Sequence, residues 1–389
     1  MTHASLRTIL VAAACGALAL GGILFAKATV TAQQSADAVS GSPASAGRVN
    51  IAVLGDSDSQ SYYDGQRGGA WRATTWQWTE VLARLRGDQI DFGKWGVWGS
   101  NKYEAYVADK LGLGARSPRK TDYQYNFAVS GASCEQLMGR SQRQARRLVA
   151  LMDTDPQAWS HAVVLIRIGV NDIGQHDILD AWAHDRNAAR PAAVTDACIS
   201  AVGEAVGLIR SHHPQTRIVL VGVLSNADWS VEFDHWQSAA EIANIDAGLD
   251  RYDNGLRKLA AANDNVVFLD DRAWFRSLWG ERDDQGRPVY KTVRLAPGWA
   301  ITNTDGDDPH NAVLADGHAG VVWNALWAQH LVGALNASFG LHIEPITDAQ
   351  VIGFLQPGFA DTTTTRAAAL NTTGGQPGSA PPLSSATNP

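Results

Sequence analysis

Five short apolar runs limit what this chain can fold into. They occupy residues 49–54, 123–129, 162–168, 218–224 and 266–269, and each is closed by Gly, Ser, Asn or Asp. Runs this short, rich in β-branched or aromatic residues and bounded by turn formers, are the pattern of strands buried on both faces. Between them lie stretches with apolar residues at helical spacing: 135–152, 195–212, 239–262 and 317–335. The second opens on Thr195 and stops short of Pro214, a good start and stop for a helix. Strand and helix alternate, so the expected class is α/β, a three-layer α/β/α sandwich with a central parallel sheet.

Two segments break the alternation. Residues 64–120 carry Trp71, Trp76, Trp78, Trp95 and Trp98 among Gly, Arg and Lys, and residues 274–308 are rich in Gly, Asp and Trp. Ligands of open α/β sheets bind beyond the carboxyl ends of the strands, where both segments emerge. Trp71, Trp98, Trp299 and Trp323 are therefore the candidates for pocket lining, against the plainer expectation that most of the 14 tryptophans are core.

The ends read differently from the middle. Residues 1–32 hold one early arginine, an apolar run and small residues suited to cleavage, which reads as a signal peptide or an uncleaved signal anchor. Residues 33–47 read as a linker, 48–358 as the folded domain and 359–389 as a disordered low-complexity tail. Export is the expectation, with membrane attachment only through the N-terminal segment. Cys134 and Cys198 then face an oxidising compartment, and whether they pair is left open. A net charge of −7 without a basic stripe argues against nucleic acid as a partner.

Acyl transfer needs a serine, a base to take its proton, a carboxylate to orient the base, and fixed donors for the oxyanion. The sequence offers these at strand ends. Ser57 follows the first run in 51-IAVLGDSDSQ-60. Gly131 ends 126-NFAVSG-131, where the lack of a side chain lets its N–H approach a substrate closely. Asn171, in 169-GVND-172, has an amide that can donate. Asp316 and His318 stand in 316-DGH-318, ahead of the last helical stretch. Taken singly, Ser57 could be a helix cap, Gly131 a turn glycine and Asn171 a turn residue. Asp172 reads as structural, and His161, His176, His212 and His213 as surface or loop histidines.

These four motifs, in this order, resemble the SGNH/GDSL hydrolases over roughly residues 49–335. The resemblance implies a flavodoxin-like fold and an esterase in which Ser57 is the nucleophile, Gly131 and Asn171 are oxyanion donors, and Asp316 and His318 are the orienting acid and base. The family places two residues between that aspartate and histidine, and here there is one. A second pair with the usual spacing, Asp307 and His310, is the alternative. The oxygen-rich run 303–316 is also a weak cation candidate that lacks the EF-hand pattern. No nucleotide-binding motif is present, and no cofactor is expected. The substrate expected is a glycan, lipid or small-molecule ester, with acetyl groups on a carbohydrate foremost. The alternatives are a lipase, thioesterase or O-acyltransferase using the same site, or a non-catalytic carbohydrate-binding or envelope protein.

Overall fold

The computed structural model describes residues 47–65, 67–111, 115–139 and 142–354. The leader and the tail fall outside the described residues, as does the linker apart from Gly47. The central sheet has five parallel strands: β1 (Val49–Gly55), β2 (Ile90–Asp91), β3 (Val163–Arg167), β4 (Arg217–Val221) and β5 (Val266–Leu269). Their spatial order is β2-β1-β3-β4-β5, the flavodoxin-like order. The order reverses between β1 and β3, and such a switch point leaves a crevice at the carboxyl ends of the two strands. Gly55 closes β1 against Arg167 of β3, and a Cβ there would lie 2.3 Å from the Arg167 carbonyl oxygen.

Side chains alternate between the two faces of each strand. Ile51, Val53, Val163, Leu165, Val219 and Val221 face one core, with α1 (Trp78–Arg86), α6 (Asp271–Leu278) and α7 (Val321–Phe339). Ala52, Leu54, Val164, Ile166, Ile218 and Leu220 face the other, with α2 (Gln144–Met152), α3 (His176–His184), α4 (Ala189–His212) and α5 (Ala239–Ala261). The three layers of the sequence reading are present. Helix α7 is apolar almost all round and is buried accordingly. Among the described helices, α4 alone is long and apolar enough to cross a membrane. It buries Thr195, Cys198, Val202, Val206 and Ile209 in the core, as a core helix does.

Three elements depart from expectation. Of residues 123–129 only Tyr123 lies in a strand, as the end of Lys120–Tyr123, and the remainder forms none. Within that remainder only Asn126 pairs, as an isolated bridge to Val53, although Phe127 N–H donates to Val53 (2.8 Å) and Val129 N–H to Gly55 (3.0 Å). The ladder to β1 goes no further because Gly55 N–H donates to Gln144 Oε1 at 2.8 Å instead of to this segment. Arg116 donates to the carbonyls of Gln124 and Asn126, and Lys120 to that of Ala128, so side chains take the acceptors a further strand would use. The expected helix over 135–152 is broken into a 3-10 turn (Cys134–Leu137) and α2, with Arg143 in a left-handed conformation at φ 45°. Helix α4 begins six residues before Thr195, because Pro191 sits in its first turn, where no backbone donor is lost.

The two irregular segments become small additions to the sheet. One holds a 3-10 turn (Gly69–Thr74), α1, β2 and an antiparallel pair, Trp95–Trp98 with Lys120–Tyr123. The other holds the hairpin Gly280–Arg282 with Pro288–Tyr290, then β6 (Thr292–Ala296) and β7 (Trp299–Asp305). Strand β7 also pairs in parallel with β8 (Asn311–Val313), which leads into the Asp316–His318 turn.

Candidate active site

Ser57 lies two residues beyond β1 and is 7% exposed. The loop around it is fixed by its own backbone. The Asp56 carbonyl accepts from Ser59 N–H at 3.2 Å and Gln60 N–H at 3.1 Å, and the Asp56 carboxylate accepts from Asp58 N–H at 3.0 Å. Burial, helped by the charge of Asp58, pushes the Asp56 carboxyl well above the usual range. From below, Arg167 Nη1 (2.9 Å) and Trp78 Nε1 (3.0 Å) donate to the Asp58 carbonyl, and Asn126 Nδ2 donates to the Ser59 carbonyl at 2.7 Å. Arg167 is in turn paired with buried Asp271 at 2.8 Å and lies over the Trp327 ring, whose N–H also reaches Asp271. The loop thus rests on a buried ion pair.

The other two loops join it. Ser130 N–H donates to Gln60 Oε1 at 2.8 Å. Gly131 follows at φ +74°, a conformation that favours glycine, and a Cβ there would meet nothing within 4 Å. Asn171 sits in the turn after β3 and donates through Nδ2 to the Ala132 carbonyl at 3.0 Å. Asp172 accepts from Cys134 N–H at 2.8 Å, as a structural residue should. Cys134 and Cys198 form a disulfide with Cα atoms 5.1 Å apart, which ties this loop to α4. Among the described residues, the backbone N–H groups of Ser57 and Gly131 find no acceptor.

The Asp316–His318 turn comes from the far end of the chain. Gly317 N–H donates to Leu314 (2.9 Å) and Leu314 N–H to His318 (2.7 Å), and Gly317 has φ +81°. Glycine between Asp316 and His318 lets the chain turn sharply there. Asp316 Oδ1 accepts from His318 N–H at 3.2 Å and stands 3.1 Å from His318 Nδ1, although the ring is turned out of line for a hydrogen bond. Burial raises the Asp316 carboxyl, but the His318 side chain and N–H, with Arg67, outweigh it and hold it down at about 2. The turn is held from three sides. Trp229 Nε1 donates to the Gly317 carbonyl at 2.5 Å. Tyr62, five residues after Ser57, donates its hydroxyl to the Ala319 carbonyl at 3.1 Å and meets the His318 ring edge-on. Arg67 grips both residues, with Nε 3.1 Å from Asp316 Oδ2 and Nη2 3.0 Å from His318 Nε2. Arginine can only donate, so His318 Nε2 accepts there and the ring proton sits on Nδ1, toward Asp316. That is the tautomer a general base needs, but among the described residues its lone pair faces Arg67, and no hydrogen bond links it to Ser57 Oγ.

The alternative pair is not assembled. His310 stands 2.7 Å from Asp308, and Asp307 instead accepts from Ala315 N–H at 3.3 Å. The metal-competent side chains that converge among the described residues lie outside 303–316. Trp323 is buried core rather than pocket lining. Trp71 is exposed, Trp98 half-buried, and Trp299 stacks on His310. Sequence reasoning did not find Arg67, Tyr62, Arg167 or the buried pair Lys120–Asp122. Burial holds Lys120 down at about 8 against the pull of Asp122, which also accepts from Ser61 N–H and Asn126 Nδ2. An arginine closing an otherwise apolar strand, 163-VVLIR-167, was the one local signal available.

Residues 53–289, more than half of the chain, match the GDSL-like Lipase/Acylhydrolase family. The chain belongs to that family. This GDSL-family protein is accordingly a serine ester hydrolase, and the matched segment contains Ser57, Gly131 and Asn171 but ends before Asp316 and His318. It is similar to an extracellular lipase from Streptomyces rimosus at 17% identity, covering 72% of this chain and 99% of that one with a TM-score of 0.37. It is similar to phospholipase A1 from Streptomyces albidoflavus at 15% identity, covering 62% and 92% with a TM-score of 0.34. A carbohydrate esterase family 2 enzyme with a carbohydrate-binding domain, from Corynascus thermopiles, is 17% identical, covering 77% and 69% with a TM-score of 0.33. No curated protein matches the chain.

Proposed function

We propose that this GDSL-family hydrolase is an exported esterase acting through an acyl-enzyme on Ser57. His318, in the tautomer with its proton toward Asp316, takes the Ser57 proton once its Nε2 leaves Arg67. Ser57 Oγ attacks the ester carbonyl carbon. The N–H groups of Ser57 and Gly131 and the amide of Asn171 stabilise the oxyanion. His318 then returns the proton to the leaving alcohol, and water, activated by the same imidazole, releases the acid. The observation that carries this reading is the pair of uncommitted N–H groups on loops joined around Ser57. Backbone donors that are fixed in advance and lack an acceptor are what a developing oxyanion requires.

For the substrate we favour an acetyl ester on a carbohydrate. Trp71, Tyr103, Tyr106 and Tyr290 are all exposed and all belong to the two irregular segments. Flat aromatic faces of this kind suit sugar rings better than acyl chains, which need an enclosed apolar groove. Export is supported by the apolar leader in the sequence and by the Cys134–Cys198 disulfide.

The test is the intact mass of the protein after reaction with a fluorophosphonate, beside a Ser57→Ala control. One adduct on the wild type and none on the control is expected. No adduct on folded wild-type protein would overturn the catalytic reading in favour of a carbohydrate-binding one. Release of acetate from acetylated xylan, compared with hydrolysis of long-chain esters, then tests the substrate.

A further inference from the structure

We propose that His176, Asp180 and His235 form a binding site for a d-block divalent cation such as Zn²⁺, separate from the esterase site. His176 opens α3 and Asp180 lies one turn on, so the two share a helix face. His235 comes from the loop between β4 and α5. His176 Nε2 stands 3.3 Å from Asp180 Oδ2, and His235 Nε2 stands 3.4 Å from Asp180 Oδ1. One donor atom from each of the three residues lies within 4.8 Å of the other two.

These separations suit a shared ion better than direct pairing. Charge-assisted hydrogen bonds run at about 2.7–2.9 Å. Two ligands at about 2.0–2.1 Å from a tetrahedral zinc are about 3.3 Å apart. The surrounding groups fit as well. The other nitrogen of His176, Nδ1, stands 3.3 Å from Glu232, a carboxylate near enough to close onto it once the ring holds a metal. Trp236 Nε1 donates to Asp180 Oδ1 at 2.9 Å and fixes that carboxylate. The Trp236 ring, itself buried, packs against both imidazoles, while the histidines are about half exposed on the other side, 46% and 45%, which leaves an entry path.

Charge points the same way. Among the described residues no lysine or arginine pairs with Asp180 or Glu232, so two carboxylates surround two imidazoles without a fixed cation. Two nitrogen donors and one oxygen donor select Zn²⁺, Cu²⁺ or Ni²⁺ over Ca²⁺ and Mg²⁺, which prefer oxygen throughout. An ion here would clip α3 to the loop that carries Trp229, whose indole holds the Gly317 carbonyl of the Asp316–His318 turn. Its role is to steady that loop, and it takes no part in ester chemistry.

The test is calorimetric titration of the untagged full chain, stripped with a chelator, with ZnCl₂ and separately with CaCl₂. One equivalent of Zn²⁺ and no Ca²⁺ should bind. Replacing both histidines (His176→Ala with His235→Ala) should abolish binding, and Glu232→Gln should weaken it about 10- to 100-fold. Zn²⁺ should raise the thermal midpoint of the wild type and leave the double variant unmoved. Absence of zinc binding, or equal binding by the double variant, would overturn the proposal. If the double variant failed to fold, Co²⁺ on the wild type would decide, because a tetrahedral histidine–carboxylate site gives intense, red-shifted visible bands, whereas a merely hydrated octahedral ion absorbs only weakly.

Discussion

The two halves of the candidate site are built in opposite ways. The nucleophile half, made of the loops after β1 and β3 and the 126–133 segment, stands on buried charge: Arg167 with Asp271 and Lys120 with Asp122, all with side chains at most 5% exposed. The base half is one turn whose aspartate side chain is 45% exposed, gripped by Arg67 and propped by Tyr62 and Trp229. Buried pairs are rigid because losing either partner strands a charge in a low dielectric, whereas half-exposed pairs are screened and easily exchanged. The donors proposed for the oxyanion are therefore fixed in advance. His318, the proposed base, is held so that it can leave one partner for another, as it must if it is to meet Ser57.

The largest expected effect tests the nucleophile half directly. Ser57→Ala should lower kcat on a chromogenic acetate ester by at least about 10⁴-fold with the fold intact, because members of such a unit fail together. Arg167→Met should cost about 3–5 kcal/mol in urea denaturation, by leaving Asp271 buried and unpaired. A loss below about 1 kcal/mol would place the pair with ordinary exposed ones and dissolve the contrast. Asn171→Ala should slow turnover by about 10²–10³, or roughly 3–4 kcal/mol, without loss of stability. Unchanged activity would remove it from the oxyanion site.

The base half should respond more mildly. Arg67→Gln should change stability by less than about 1 kcal/mol and raise kcat/KM for a small neutral ester about 2- to 10-fold, by freeing His318 Nε2. A tenfold fall instead would make Arg67 a clamp that positions the base. The smallest effect concerns acid. The Asp316 carboxyl is held below its unfolded value, so its contribution is complete above about pH 4 and is lost as pH falls through about 2. Wild type should be slightly more stable than Asp316→Asn at pH 6, and the gap should close between those two values. A gap that persists at pH 2 would mean that Asp316 contributes by packing rather than charge.

Much of this was legible from local pattern. The five apolar runs located four sheet strands, because a strand buried on both faces must be apolar along its length. The fifth run failed for a reason its own residues do not contain. Gln144, from outside the run, takes the Gly55 N–H that would have carried the ladder to β1 further. Asp316 and His318 were chosen over Asp307 and His310 from the helix that follows them, and the structure pairs His310 with Asp308 instead. Arg67 could not have been read, because its partner Asp316 is 249 residues away and nothing in either neighbourhood refers to the other.

The sequence by itself determined the alternation of strand and helix, hence the layers, and the places where polar residues interrupt apolar runs, hence the loops that could carry chemistry. Both follow from periodicity and turn preference, which act over a few residues. Only the tertiary structure decided which charges are buried together, that Cys134 meets Cys198, and that His318 turns toward Arg67. Those depend on packing between segments up to 251 residues apart, where small displacements select one hydrogen-bond partner over another.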